Sequence, residues 1–325
     1  MVTKLLVLPL VLLLAQKPAE KPKVHADFQF GSYPTSRTGE ELMKDELTRE
    51  VVVAFHEGWN LDKIAKTLKV SLDDVSKVSD KLEDERLAGR RDEFDVRPFI
   101  PVIREADYMR MKDGLKRHTD EFTKVITDNW KDIEGLVDSL EGMKTVPKDR
   151  AMYETIVSGI LLGGMMDAFY DDQTIMPGPP RHGKNERYYA WLVESNPAAA
   201  GKLKRELRES ANYRIITIGT TLSTEKLNVD DLRGKAVVLD EAEARKYRAF
   251  IGIFTRDKLL PYFKSHRPEL LKQAGLVYAG RYVAFAQVFA WYYDAIANGV
   301  TDNLVAARRI APPQTLYTYA VRVPQ

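Results

Sequence analysis

The 325-residue chain has no cysteine. Disulfides, thiolate nucleophiles and Cys-ligated zinc are therefore excluded, as is the lipid-attachment cysteine of an exported lipoprotein. An excess of one charge is also lacking. Lys and Arg number 49 against 47 Asp and Glu, a formal net of +2. A dedicated nucleic-acid binder carries a clearer basic excess, at least locally. Histidine is sparse: His25, His56, His118, His182 and His266 lie far apart, and no two have a ligand spacing. Neither a metal centre nor a cofactor is expected. The familiar catalytic motifs are missing too. The glycines of GILLGG at 159–164 are followed by no Lys-Ser or Lys-Thr, so they make no phosphate cradle. His56-Glu57 lacks the second histidine of a zincin. Ser158, in VSGI, lacks the glycine spacing of a nucleophile elbow.

Long hydrophobic runs are absent with one exception. Leu5 to Ala15 is a stretch of eleven non-polar residues preceded by Lys4. As a helix it spans only about 16 Å, too short for a bilayer core. The pattern is that of a signal peptide over 1–15, with cleavage near Ala15. A buried N-terminal helix or strand is the alternative. The leader implies a secreted or periplasmic protein, soluble and with no stable membrane insertion after cleavage. The rest of the composition, 44% apolar and 30% charged, is ordinary for a globular chain.

Residues 16–40 read as a linker or irregular arm, with Phe28, Phe30 and Tyr33 available for packing. Leu47, Val51 and Phe55 give 40–58 a helical apolar face that Gly58 can end. Ile64, Ala65 and Leu68 stripe a second helix. Ser71, with Asp74 three positions on, caps a third whose face is Val75, Val78 and Leu82. Phe94, Val96 and Val102 then fit a short ribbon. The core and cap positions Ile64, Ala65, Val70, Ser71, Val75, Val78 and Leu82 resemble those of a generic winged-helix module, at about 44–103 within a domain of 41–105. An ordinary helical hairpin in a larger helical domain is the alternative.

The resemblance implies that the third helix would offer its first residues to DNA. Here those are Leu72, Asp73 and Asp74, and Ser71 to Arg91 holds six acids against five bases. Phosphates would meet like charge, so no nucleic-acid partner is expected, and a scaffolding or protein-contact role fits better.

The remaining 106–325 reads as a larger helical and mixed domain, divisible near the Pro- and Gly-rich stretch 174–185. Helices are expected at 104–141, 150–170 and 185–212. Strands are expected at Tyr213 to Leu222, 235–239 and 248–254. Helices follow at 256–264, 267–274 and 278–298, with a final strand near the end. The fold class is α+β and predominantly helical.

One charged constellation stands out. Asp167 and Asp171 are four apart, with Asp172 adjacent, near the carboxyl end of an apolar helix where the dipole disfavours negative charge. Arg181, His182 and Lys184 lie just beyond a loop and could compensate. A second candidate is the aromatic set of Tyr278, Arg281, Tyr282, Trp291, Tyr292 and Tyr293. The resulting expectation is an exported protein binding a protein, peptide or small polar ligand through Asp171, Arg181, His182, Tyr282 and Trp291. The first alternative is an extracytoplasmic hydrolase with paired carboxylates, drawing on Asp167, Asp171, Asp172 and His182. The second is a winged-helix DNA-binding protein.

Overall fold

The computed structural model describes residues 28–90, 95–183, 186–194, 204–210, 213–219, 236–278, 283–312 and 317–322. The leader at 1–15 lies outside them. Among the described residues no helix is long and apolar enough to cross a membrane. The fold is mostly helical, a small N-terminal β/α region followed by a larger helical one, of general α+β architecture.

The N-terminal region runs β1 (Phe28–Tyr33), α1 (Arg37–Leu42), α2 (Glu46–His56), α3 (Leu61–Leu68), α4 (Leu72–Asp84), β2 (Ala88–Arg90), β3 (Val96–Pro98) and β4 (Val102–Ile103). Side-chain caps start its helices: Ser36 accepts from Gly39 N–H, Asp45 from Thr48, Asn60 from Lys63 and Ser71 from Asp74. Each cap satisfies an amide that has no partner inside the helix, typically for about 1 kcal/mol. The Asp74 carboxylate receives the Ser71 hydroxyl at 2.6 Å. Strands β2 and β3 pair antiparallel, Ala88 opposite Pro98. Phe28–Tyr33, expected inside an irregular arm, is instead a paired strand, because its aromatic ends Phe28 and Tyr33 are both buried.

The helical region begins with α5 (Glu105–Asp128), α6 (Trp130–Asp138) and a 3₁₀ turn. Then come α7 (Lys148–Tyr153), a π-helical segment Glu154–Gly164 and α8 (Met165–Asp172). Next are β5 (Arg181–His182), β6 (Glu186–Arg187), β7 (Tyr189–Glu194), β8 (Lys204–Ser210), β9 (Tyr213–Gly219) and β10 (Val237–Leu239). Helix α9 (Glu241–Phe254), a second π-helical segment Thr255–Leu259, α10 (Leu260–Tyr278), α11 (Phe285–Ala306) and β11 (Tyr317–Arg322) complete it. A four-stranded sheet has the order β10-β11-β9-β8.

Strand β7 joins the two regions. It lies between β1, antiparallel, and β4, parallel. Side chains alternate across a strand. Tyr188, Ala190 and Leu192 enter the N-terminal core with Phe55, Ile64 and Val75. Tyr189, Trp191 and Val193 enter the helical core with Phe122, Ile156 and Phe289. Strand β4 splits the same way, Val102 to one core and Ile103 to the other. Gly31 lies under the Trp191 indole, where any Cβ would collide with the ring. The Ala190 N–H is taken by Gln287 of α11 at 3.2 Å, so α11 is tied to the strand as well as packed on it.

Several expectations fail here for identifiable reasons. Residues 189–194, placed in a helix by sequence, form a strand buried on both faces. Such a strand reads as a continuous apolar run without the alternation that would mark it. Residues 248–254, expected as a strand, are the end of α9. Asp240 and Glu243 form a capping box at its start, and Ala244, Tyr247, Ile251 and Phe254 bury one helical face. The β-branched and aromatic composition of the segment is overridden by that periodicity. Helix α10 also runs unbroken through Pro268, where the sequence implied two helices.

Candidate functional site

The two π-helical segments face each other across a cleft. Turns of this width are rare and often sit at functional sites. The first segment is nearly all buried and rich in glycine. A Cβ at Gly159 would collide with the Tyr247 hydroxyl, and one at Gly164 would come within 2.8 Å of Thr255 Cγ2. These glycines let side chains of α9 and the second π segment pack directly on the backbone of the first.

Between them is a cavity of about 550 Å³, lined by Ser158, Gly159 and Gly163, by Asp167, Asp171 and Asp172 of α8, by Tyr247, Arg248 and Ile251 of α9, and by Thr255, Arg256, Leu260 and Ile216. All three carboxylates singled out by sequence line this one space. The spacing of four puts Asp167 and Asp171 on the same helix face, and both are exposed.

Compensation for the acidic helix end comes from a different place than expected. Lys264 of α10 pairs with Asp172 at 2.9 Å, and the Thr174 hydroxyl and amide also donate to that carboxylate. The Thr174 hydroxyl and then Lys264 hold the Asp172 carboxyl below the usual range. His182 is elsewhere. It is buried, stacked on Tyr188 with ring centroids 4.0 Å apart. Its Nδ1 lies 3.1 Å from the Glu85 carbonyl and its Nε2 2.9 Å from that of Tyr188. It ties the end of α4 to β5 and does not line the cavity. Burial lowers its pKa. Arg181, exposed on β5 opposite Arg187, is also outside the lining.

Trp291 is fully buried in the helical core, as are Tyr292 and Tyr293. Their helical spacing reflects packing, and Trp291, expected at a ligand, is not among the residues lining the cavity. Tyr282 lies outside the described residues.

Ser158, which lacks an elbow motif, lines the cleft in an unusual environment. It is fully buried, and its Oγ has no hydrogen-bond partner among the described residues. The nearby threonine hydroxyls behave differently. Thr155 donates to the Ala151 carbonyl at 2.9 Å and Thr255 to that of Ile251 at 2.8 Å. Leaving a buried hydroxyl unpaired costs about 1–3 kcal/mol.

A second polar cluster joins histidines 148 positions apart in the chain. The His118 and His266 rings lie 5.4 Å apart. Tyr262 donates its hydroxyl proton to Glu121 at 2.8 Å, so at 2.7 Å it must accept from His118 Nδ1–H. That leaves His118 Nε2 unprotonated and buried without a hydrogen bond among the described residues. Burial, then the nearby Arg117 and His266, push the His118 pKa down to about 4. No group of three or more His, Asp or Glu side chains among the described residues is arranged to hold a metal.

At the start of α4, Asp73 pairs with Lys77 at 2.6 Å. Arg90 pairs with Asp80 and Glu83 at 3.1 and 2.8 Å. Two of the bases that might meet phosphate, Lys77 and Arg90, are therefore engaged by acids. Compared with protein-family models, curated proteins and solved structures, the chain matches none.

Proposed function

We propose that this chain binds a small polar ligand bearing a positive charge, in the cleft between α8 and α9. The observation that carries the reading is a cavity edged by carboxylates and lined by Ser158, a buried residue whose hydroxyl has no hydrogen-bond partner among the described residues. A ligand group that hydrogen-bonds Ser158 removes an existing penalty, and Asp167 and Asp171 supply the counter-charge. The cavity falls within the size range of small-molecule sites. Thermal unfolding in the presence of methylguanidine and of butylamine tests this. The expected result is a rise in Tm that disappears in Asp167→Asn/Asp171→Asn. A ligand at a hundred times its Kd stabilises by about 2.7 kcal/mol. No shift with either probe contradicts the reading.

A hydrolase is the second reading, favoured by the shared cleft of Asp167 and Asp171. It requires one of the two to hold a proton at working pH. Asp172, held ionised by Thr174 and Lys264, suits charge recognition better than proton donation. Loss of turnover in Asp171→Asn would favour hydrolysis over binding alone.

The N-terminal helices and ribbon are proposed as a winged-helix-like scaffold, and residues 1–15 as an export leader. Fractionation of cells making the full chain tests the leader. Mature protein lacking 1–15 outside the cytoplasm is the expected result, and only uncleaved cytoplasmic protein contradicts it.

A further inference from the structure

We infer that the ligand of this cleft is dipolar, of the amino-acid or short-peptide class, with its ammonium at Asp171 and its carboxylate at Arg248. This rests on the proposed binding role and goes further by naming the ligand class.

The charges around the cleft are unequally committed. Asp172 is occupied by Lys264 and Thr174, and Arg256 by its neighbour Asp257 at 3.1 Å. Asp171 and Arg248 make no ion pair or hydrogen bond among the described residues, with each other or with anything else. They stand on different helices, α8 and α9, and both line the same cavity. An anion-selective or cation-selective pocket would need only one of them. Opposite charges that line one cavity without pairing with each other match a molecule that carries both charges at its own fixed separation.

Two further features fit that class. Ser158 can donate to a ligand carboxylate or accept from a ligand ammonium. Ile251 and Leu260 add apolar lining to the same cavity, suited to an aliphatic body. Each end of the ligand would gain a charge-assisted hydrogen bond, about twice as strong as a neutral one.

Calorimetric titration of the full chain distinguishes the classes. The probes are L-leucine and glycyl-L-leucine as dipolar ligands, L-leucine amide as the cation alone, and isovalerate as the anion alone. At least one dipolar probe is expected to bind tenfold or more tightly than both single-charge probes. Arg248→Gln should reduce its affinity to that of the amide, and Asp171→Asn to that of isovalerate. Both positions are exposed, and circular dichroism of each variant checks that the fold is kept. If leucine amide binds as tightly as the dipolar probes, the dipolar inference fails while a cation-binding cleft stands. If neither the dipolar probes nor the amide bind, both fail.

Discussion

On one face of β7, the N-terminal core is built from caps, apolar stripes and surface ion pairs. On the other, the helical core encloses polar groups that ordinary packing would exclude. Ser158 Oγ, His118 Nε2, Tyr292 Oη, Gln273 Oε1 and Asp294 Oδ2 are buried there without hydrogen-bond partners among the described residues. Both π-helical segments belong to the same side. Tyr188 Oη is a group of this kind on the N-terminal side, but most of them lie on the helical side. Broken rules tend to gather where a protein works. The contrast fits the proposal that the N-terminal region is support and the helical region the place of binding.

Mutating the shared strand is the strongest way to break that comparison. Trp191→Ala removes a side chain from the helical core and Leu192→Ala one from the N-terminal core. Losses of about 3–5 and 2–5 kcal/mol are expected. Hydrogen exchange should show protection falling first among α5, α8 and α11 for Trp191→Ala, and among α2 to α4 for Leu192→Ala. Equal loss throughout both regions in each variant would mean that β7 does not separate two cores.

Buried titratable groups offer the next test. His118, at about 4 against an ordinary 6.5, refuses a proton that the unfolded chain accepts. Its contribution is complete above about pH 6.5 and is lost as pH falls toward 4. Asp294 is pushed up to about 7 from 3.8, by burial and against the Asn298 amide. The folded chain keeps a proton that the unfolded chain releases, so this contribution is complete below about pH 3.8 and is lost as pH rises toward 7. The two slopes oppose each other in the same window, each on the order of 3–4 kcal/mol. Asp294→Asn removes one of them. Denaturant unfolding between pH 7 and 4 should then show a steeper loss of stability with acid than in the parent chain. An unchanged pH profile would show that Asp294 is not buried as a titrating group.

Much of the N-terminal region was legible in the sequence, because its signals are local. The Ser71 cap and the spacing of Val75, Val78 and Leu82 lie within one helix. The carboxylates Asp167, Asp171 and Asp172 were legible for the same reason, since a spacing of four specifies a face. Their partner was not. Lys264 lies 92 positions from Asp172, and only the packing of α10 on α8 brings it there. His182 looked like a partner because it is near in sequence, but β5 carries it to the end of α4 instead. The role of Ser158 has no sequence signal beyond its glycine neighbours, since a π turn cannot be told from an α turn by apolar periodicity. Strand β7 carries no strand signal because burial on both faces erases the alternation that betrays a strand.

Smaller changes sharpen the contrast. Gly164→Ala puts a methyl group against Ile251 and Thr255, and should cost about 1–3 kcal/mol and narrow the cleft. Chemical denaturation checks the first effect and titration with leucine the second. Ser71→Ala removes one cap from the supporting region. It should cost about 1 kcal/mol in the midpoint of urea unfolding and leave ligand affinity unchanged.

The central claim, that the cleft between α8 and α9 is the binding site, is tested most directly by a crystal structure of the chain grown with glycyl-L-leucine. The account predicts density for the dipeptide with its amino group on Asp171, its carboxylate on Arg248 and a hydrogen bond to Ser158 Oγ. Density for the dipeptide anywhere else, with only solvent at Ser158, would contradict it.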